Sequence, residues 1–187
     1  MYQLYADFVK NCMRSGTIER AGREGFTQTC RFEIGPPGSA EGVLAVEGQL
    51  NQVLPIAYKQ FIIVNDGALL YYDAAYGQWG VRLHGTQPLV YGNSEHTSVC
   101  DLPTLQLRYP GASENGWLLF GSWVGDLDLL AFKKTDLPSG GIKSDPKVWV
   151  IADLDFEEAV RVSDDFATWL SQLMALQGEK WWEGSVL

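Results

Sequence analysis

At 187 residues the chain can bury one sizeable hydrophobic core and is too short for two ordinary domains, so one domain over residues 1–187 is expected. Hydrophobic residues make up 46% and charged residues 20%, a globular balance, while 20 Gly and 8 Pro imply frequent turns and argue against a plain helical bundle. With 14 Lys and Arg against 23 Asp and Glu the formal charge is −9, a field that repels nucleic acid and anionic membrane and draws in basic partners. Cys12, Cys30 and Cys100 are odd in number and lack metal-ligand spacing, which predicts a reducing cytoplasm and no disulfide framework. Residues 1–15 lack the basic-then-apolar order of a signal peptide, and no stretch approaches the roughly 18 apolar residues that span a bilayer.

In chain order, residues 2–13 predict a helix with Leu4, Tyr5, Phe8, Val9 and Cys12 on one side. Residues 27–34 read as a strand, closed by the turn Gly35-Pro36-Pro37-Gly38. Ser39 predicts an N-cap for a helix through Val43, Val46, Glu47 and Leu50, weakened by Gly42 and Gly48 and so dependent on packing. Residues 54–67, LPIAYKQFIIVNDG, then combine a helix start at Pro55, an apolar stripe of Leu54, Ala57, Tyr58, Phe61 and Ile62, and a stop at Asn65-Asp66-Gly67. A helical hairpin follows. Beyond Gly67, residues 69–72, 79–83, 117–120, 127–132 and 148–152 read as sheet strands, with an exposed hairpin loop in residues 131–145 between the last two. Ser163 predicts the cap of a final helix whose first turn carries Asp164 and Asp165 and whose buried stripe is Phe166, Trp169, Leu170, Leu173 and Met174.

The short helix opened by Leu54-Pro55, carrying Tyr58-Lys59-x-Phe61 and closed by Asn65-x-Gly67, resembles the signature of the SMI1/KNR4 family of the SUKH superfamily. Residues 116–133, GWLLFGSWVGDLDLLAFK, resemble that family's central strand pair around a Gly125-Asp126 turn. Residues 148–173 resemble its closing unit, an edge strand followed by an acidic turn and a Ser-x-x-Phe helix, with Phe166 as the motif's Phe, that packs back on the sheet. The resemblance implies an α+β fold with a mainly antiparallel sheet flanked by helices. It covers a core of residues 34–174, leaving 1–33 as a divergent extension and 175–187 as a tail. It also implies function, because many bacterial members are immunity proteins that neutralise a toxin, often a nuclease, by stoichiometric binding. Eukaryotic relatives are regulatory scaffolds, which makes a protein-interaction module the alternative.

Catalytic signatures are absent from the sequence: it has no Gly-x-Ser-x-Gly elbow, no phosphate-binding Gly-rich loop and no His-Glu-x-x-His helix. His84 and His96, the only histidines, read as structural or solvent-facing, and Asp126 with Asp128 share a face merely by strand alternation. A hydrolytic or small-ligand site ranks below both binding readings, and no cofactor or metal is expected; residues 153–158 lack the central Gly and terminal Glu spacing of an EF-hand. The expected partner is a basic protein toxin rather than nucleic acid or membrane. The acidic run Asp153, Asp155, Glu157 and Glu158, with Asp126 and Asp128 on the Gly-Asp strand, supplies carboxylates to steer it. Asp73 and Trp79, in the aromatic stretch after the signature helix, add an acidic contact and an aromatic anchor. Trp181 and Trp182 are expected to fold back over an apolar groove.

Overall fold

Ser39 starts the first helix as expected: its Oγ accepts the Gly42 N–H at 3.0 Å, ahead of α1 (Ala40–Leu50), which buries Val43 and Val46. The computed structural model describes residues 17–21, 27–89, 100–137 and 145–185. Asn51 takes the left-handed conformation that turns the chain toward α2 (Ile56–Val64). Glu47 ties the hairpin together, accepting the Leu54 N–H at 2.7 Å and the Lys59 ammonium at 3.1 Å. Pro55 is the residue before the first helical one, with φ −55°, so it presets the entry without belonging to the helix. The Ala57 N–H, one of the orphan donors of that first turn, is met by the Asp145 carboxylate at 3.3 Å. At the far end Asn65 is extended and only Gly67 is left-handed, at φ +90°. Asp66 turns inward, its Oδ2 accepting the Thr86 hydroxyl at 2.6 Å.

Eight strands follow one another across a single sheet, each antiparallel to the next: β1 (Ile18–Ala21), β2 (Thr27–Ile34), β3 (Ala68–Asp73), β4 (Val81–Leu83), β5 (Trp117–Trp123), β6 (Leu129–Lys133), β7 (Val148–Ile151) and β8 (Ala159–Ser163). Period-two alternation along β5, β6 and β7 sends Leu118, Phe120, Leu130, Phe132, Val148 and Val150 to one face. That face is covered by α1, α2 and α5 (Phe166–Ala175), where Tyr58, Phe120, Phe132, Phe166 and Trp169 make an aromatic centre. Phe120 and Phe132 stack there at 4.3 Å and Phe166 stands edge-on to Tyr58 at 4.9 Å. The other face carries Trp117, Leu119, Leu129, Ala131 and Ile151, covered by Leu105 and Ala112 of α3 (Leu102–Arg108) and α4 (Pro110–Glu114). The fold is therefore the expected α+β one, with helices on both faces of the sheet.

Because β4 is only three residues long and ends opposite Gly121, Leu119 on β5 has no strand beside it on that side. The Gln106 side-chain amide takes the strand's place, accepting the Leu119 N–H at 3.1 Å and donating to its carbonyl at 2.8 Å. Tyr58 closes the same region from the other face, its hydroxyl shared between the carbonyls of His84 and Phe120.

Several expectations are corrected. Ser163 is the buried last residue of β8, paired with Val148, and the cap of α5 is Asp165, which accepts from both Thr168 N and Thr168 Oγ1. The segment Val148–Ile151 is not an edge strand, because β8 pairs on its outer side, and the loop after β6 consequently does not join the last two strands. Trp79 precedes its strand, which starts at Val81 after Gly80 at φ +146°. Strands β1 and β8 and helices α3 and α4 were not anticipated. The helix expected at residues 2–13, with Cys12, and His96 lie outside the described residues.

Candidate partner-binding rim

In an antiparallel meander alternate turns share one end, so the β3–β4, β5–β6 and β7–β8 turns emerge together. The eight residues singled out from the sequence all lie on these turns or their flanking strand ends. Gly125, left-handed at φ +77°, lets the second turn press on the first: a Cβ there would stand 2.2 Å from the Gln78 carbonyl oxygen. Val124 N donates to Gly80 O at 2.8 Å across the same contact. Asp73 is buried and folds its own turn, accepting the N–H groups of Ala75 at 2.9 Å and Tyr76 at 3.2 Å. Trp79 is half-buried against the core, with the Arg20 guanidinium 5.0 Å over its ring.

After α5 the chain doubles back across this end as a strap. Gln177 and Gly178 are both left-handed, and a Cβ on Gly178 would meet Tyr71 Cγ at 2.7 Å, so the strap lies against a tyrosine ring. Trp181 and Trp182 pack on the core, as expected, Trp182 edge-on to Trp123 at 5.0 Å. Between them and α5, buried Lys180 aims its ammonium into the β5–β6 turn. It donates to Asp126, to Asp128 Oδ2 at 2.7 Å, and pairs with Glu183 at 3.2 Å, with the Trp123 ring 5.4 Å away. Burial pulls the Lys180 pKa down, but the two aspartates outweigh it and hold the group above the usual lysine value. Burial likewise works to raise Asp126, yet the hydrogen bond and charge of Lys180 leave its carboxyl below the ordinary range. Asp126, Asp128 and Glu183 are grouped closely enough to hold a metal ion, but the Lys180 ammonium already pairs with all three carboxylates. Arg20 fastens β1 to the strap, donating to Glu179 at 2.9 Å and to the Gln177 carbonyl at 3.0 Å.

Asp128 continues the chain of contacts, its Oδ1 lying 3.4 Å from the Asp153 N–H at the start of the β7–β8 turn. Asp153 and Leu154 are left-handed there, at φ 50° and 61°. Asp155 Oδ1 accepts the N–H groups of Glu157 at 3.1 Å and Glu158 at 3.3 Å, which shapes the turn and leaves Asp153, Asp155, Glu157 and Glu158 exposed. The eight residues thus divide. Asp73, Trp79 and Asp128 are built into the turns; Asp126 is shared between Lys180 and solvent; the remaining four carboxylates project from the rim. Lys180, Glu179 and Glu183 beside Trp181-Trp182, and Arg20 on β1, were missed, because lone charged residues give no periodic or motif signal.

His84 is the other polar feature of note. Its Nδ1 lies 2.7 Å from the Cys100 carbonyl, which can only accept, so that nitrogen carries a proton. Burial pushes the His84 pKa down to about 4. Burial also pushes the Cys100 thiol up, although its sulfur is 3.4 Å from Nδ1. A protonated Nδ1 cannot take a thiol proton, so the pair lacks the arrangement of an activated nucleophile.

Residues 37–172 match the model of the SMI1 / KNR4 family (SUKH-1), well over half of the chain. The chain belongs to this family. No curated protein matches it. The family segment runs from just before α1 into α5 and includes both the β5–β6 and the β7–β8 turns, whereas β1, β2 and the strap with Lys180 lie outside it. SMI1/KNR4 proteins are generally non-catalytic. Among the described residues no helix is long and apolar enough to cross a membrane.

Proposed function

We propose that this SMI1/KNR4 protein is a bacterial immunity protein that neutralises a cognate basic toxin by stoichiometric binding, without catalysis, in the cytoplasm. The observation that carries this reading is the rim itself: Asp153, Asp155, Glu157 and Glu158 stand exposed beside Asp126, within the family segment, on a chain of net charge −9. Exposed carboxylates on a structured turn steer a cationic protein at long range and can occupy the surface with which a nuclease holds phosphate. Asp126, Asp153, Asp155, Glu157 and Glu158 make the direct contacts in this proposal, while Asp73, Trp79 and Asp128 hold the turns that present them.

The decisive test pairs the chain with the toxin encoded beside it. Co-expression should rescue cells from that toxin, and the purified proteins should bind one to one. The double variant Glu157→Lys/Glu158→Lys, which breaks no hydrogen bond between side chains in the fold, should lose about tenfold or more in affinity and much of its salt dependence. Absence of rescue would sink the immunity reading; rescue with unchanged affinity in the double variant would sink the rim.

A further inference from the structure

The sheet ends at β8, and among the described residues no strand pairs with its outer side. From Asp155 to Arg161 only Phe156 and Ala159 are half-buried; the other five residues are exposed, including Val160 at 51%. Natural edge strands are usually shortened, bulged outward or covered, since unpaired N–H and C=O groups recruit other strands. Here a stretch of backbone remains available, with Val160 an exposed apolar side chain next to Arg161 at the strand's midpoint. Asp155, Glu157 and Glu158 stand at its start and Asp164 at its end, while its single basic residue, Arg161, is 3.7 Å from Asp164. Val160 and Val162 share the face that carries the main core, and Arg161 points to the opposite face beside Trp149.

We propose that β8 is the seat of the partner, which adds an extended segment to it as a ninth strand. The inference rests on the immunity reading and specifies how the toxin is held. Charge placement defines the segment: basic at both ends, to meet the carboxylates that bracket β8, and β-branched or apolar in the middle, to lie beside Val160 and avoid Arg161. Backbone hydrogen bonds supply the affinity and the bracket fixes position. The net negative charge of this stretch, with Asp155, Glu157, Glu158 and Asp164 against Arg161, also disfavours a second copy of this chain.

The probe is a synthetic nine-residue peptide, Lys-Arg-Thr-Val-Thr-Val-Thr-Arg-Lys, titrated against the full chain and followed by backbone amide exchange and NMR shifts. Binding should slow exchange at residues 159–162 at least threefold. A peptide of identical sequence, N-methylated at alternate residues, keeps every charge but cannot complete the ladder, and should bind at least tenfold more weakly. Equal binding of the two peptides would overturn the proposal in favour of plain charge attraction, and absence of binding by either would overturn it too. Self-association that protects β8 in the free chain would overturn it in favour of a second copy. The immunity reading is judged separately by toxin rescue: rescue with β8 unprotected in the toxin complex removes only the ninth strand, and protection by the peptide without rescue removes only the toxin.

Discussion

Lys180 Nζ and Asp128 Oδ2, 52 residues apart, meet at 2.7 Å out of reach of solvent, and that contact joins a strap outside the family segment to the turn at the centre of the rim. A buried ammonium is tolerated only when carboxylates and hydrogen bonds replace its water, and here three carboxylates do so. The same carboxylate of Asp128 faces the Asp153 N–H, so the strap bears on the conformation of the acidic turn.

Replacing Lys180 by Met should therefore destabilise the fold by about 3–5 kcal/mol, because Asp128 is left buried and uncompensated. Adding Asp128→Asn removes the stranded charge and should recover part of the loss in urea denaturation. The pH dependence has two arms. Lys180 titrates higher in the folded chain, so its contribution is complete below the ordinary lysine value of 10.5 and fades as pH rises through the raised one. Asp126 titrates lower when folded, so its contribution is present above the ordinary 3.8 and fades as pH falls through the depressed value.

His84 predicts a separate loss of stability in mild acid. The unfolded chain takes up a proton near 6.5 while the buried ring resists until about 4, so stability should fall across that window by about 3 kcal/mol. Urea midpoints at pH 7 and pH 4.5 test this; His84→Asn should flatten the decline, and a His84 imidazole resonance, assigned by its loss in that variant, titrating near 6.5 in the folded protein would refute it.

Tyr58→Phe keeps the aromatic packing and deletes one hydroxyl. Phe120 O still accepts the His84 N–H at 3.0 Å, so the His84 carbonyl bears the loss, and stability should drop by about 1–2 kcal/mol with partner affinity unchanged.

Gly125→Ala should be costlier than an ordinary turn substitution. Its Cβ would lie 2.2 Å from Gln78 O at a left-handed position, so the β3–β4 and β5–β6 turns must separate. A loss of about 1–3 kcal/mol is expected, accompanied by NMR shift changes at Trp79 and Asp126.

The helical hairpin was legible because its signals are local. Ser39, the stripe from Ala57 to Ile62 and Gly67 each act within one or two turns of chain, and each does so in the structure. The segment with Gly125-Asp126 was legible for the same reason. Strand β8 was hidden because Ala159, Val160 and Arg161 show no alternation of burial, and Ser163 offered a plausible helix cap that the stronger contacts of Asp165 supply instead. Helices α3 and α4 are seven and five residues long, too short for a clear period.

Composition, apolar spacing and the signature residues by themselves determined an acidic α+β chain and its family, because core periodicity and capping are written in neighbouring residues. Which of its carboxylates stay in solvent was decided only by the tertiary structure. Asp126, Asp128 and Asp153 read alike along the chain, and what separates them is a lysine from the far end of the sequence: it inserts at the β5–β6 turn, draws Asp128 into the interior and leaves Asp153 on the rim. Such long-range charge pairing has no period, so folding alone reveals it.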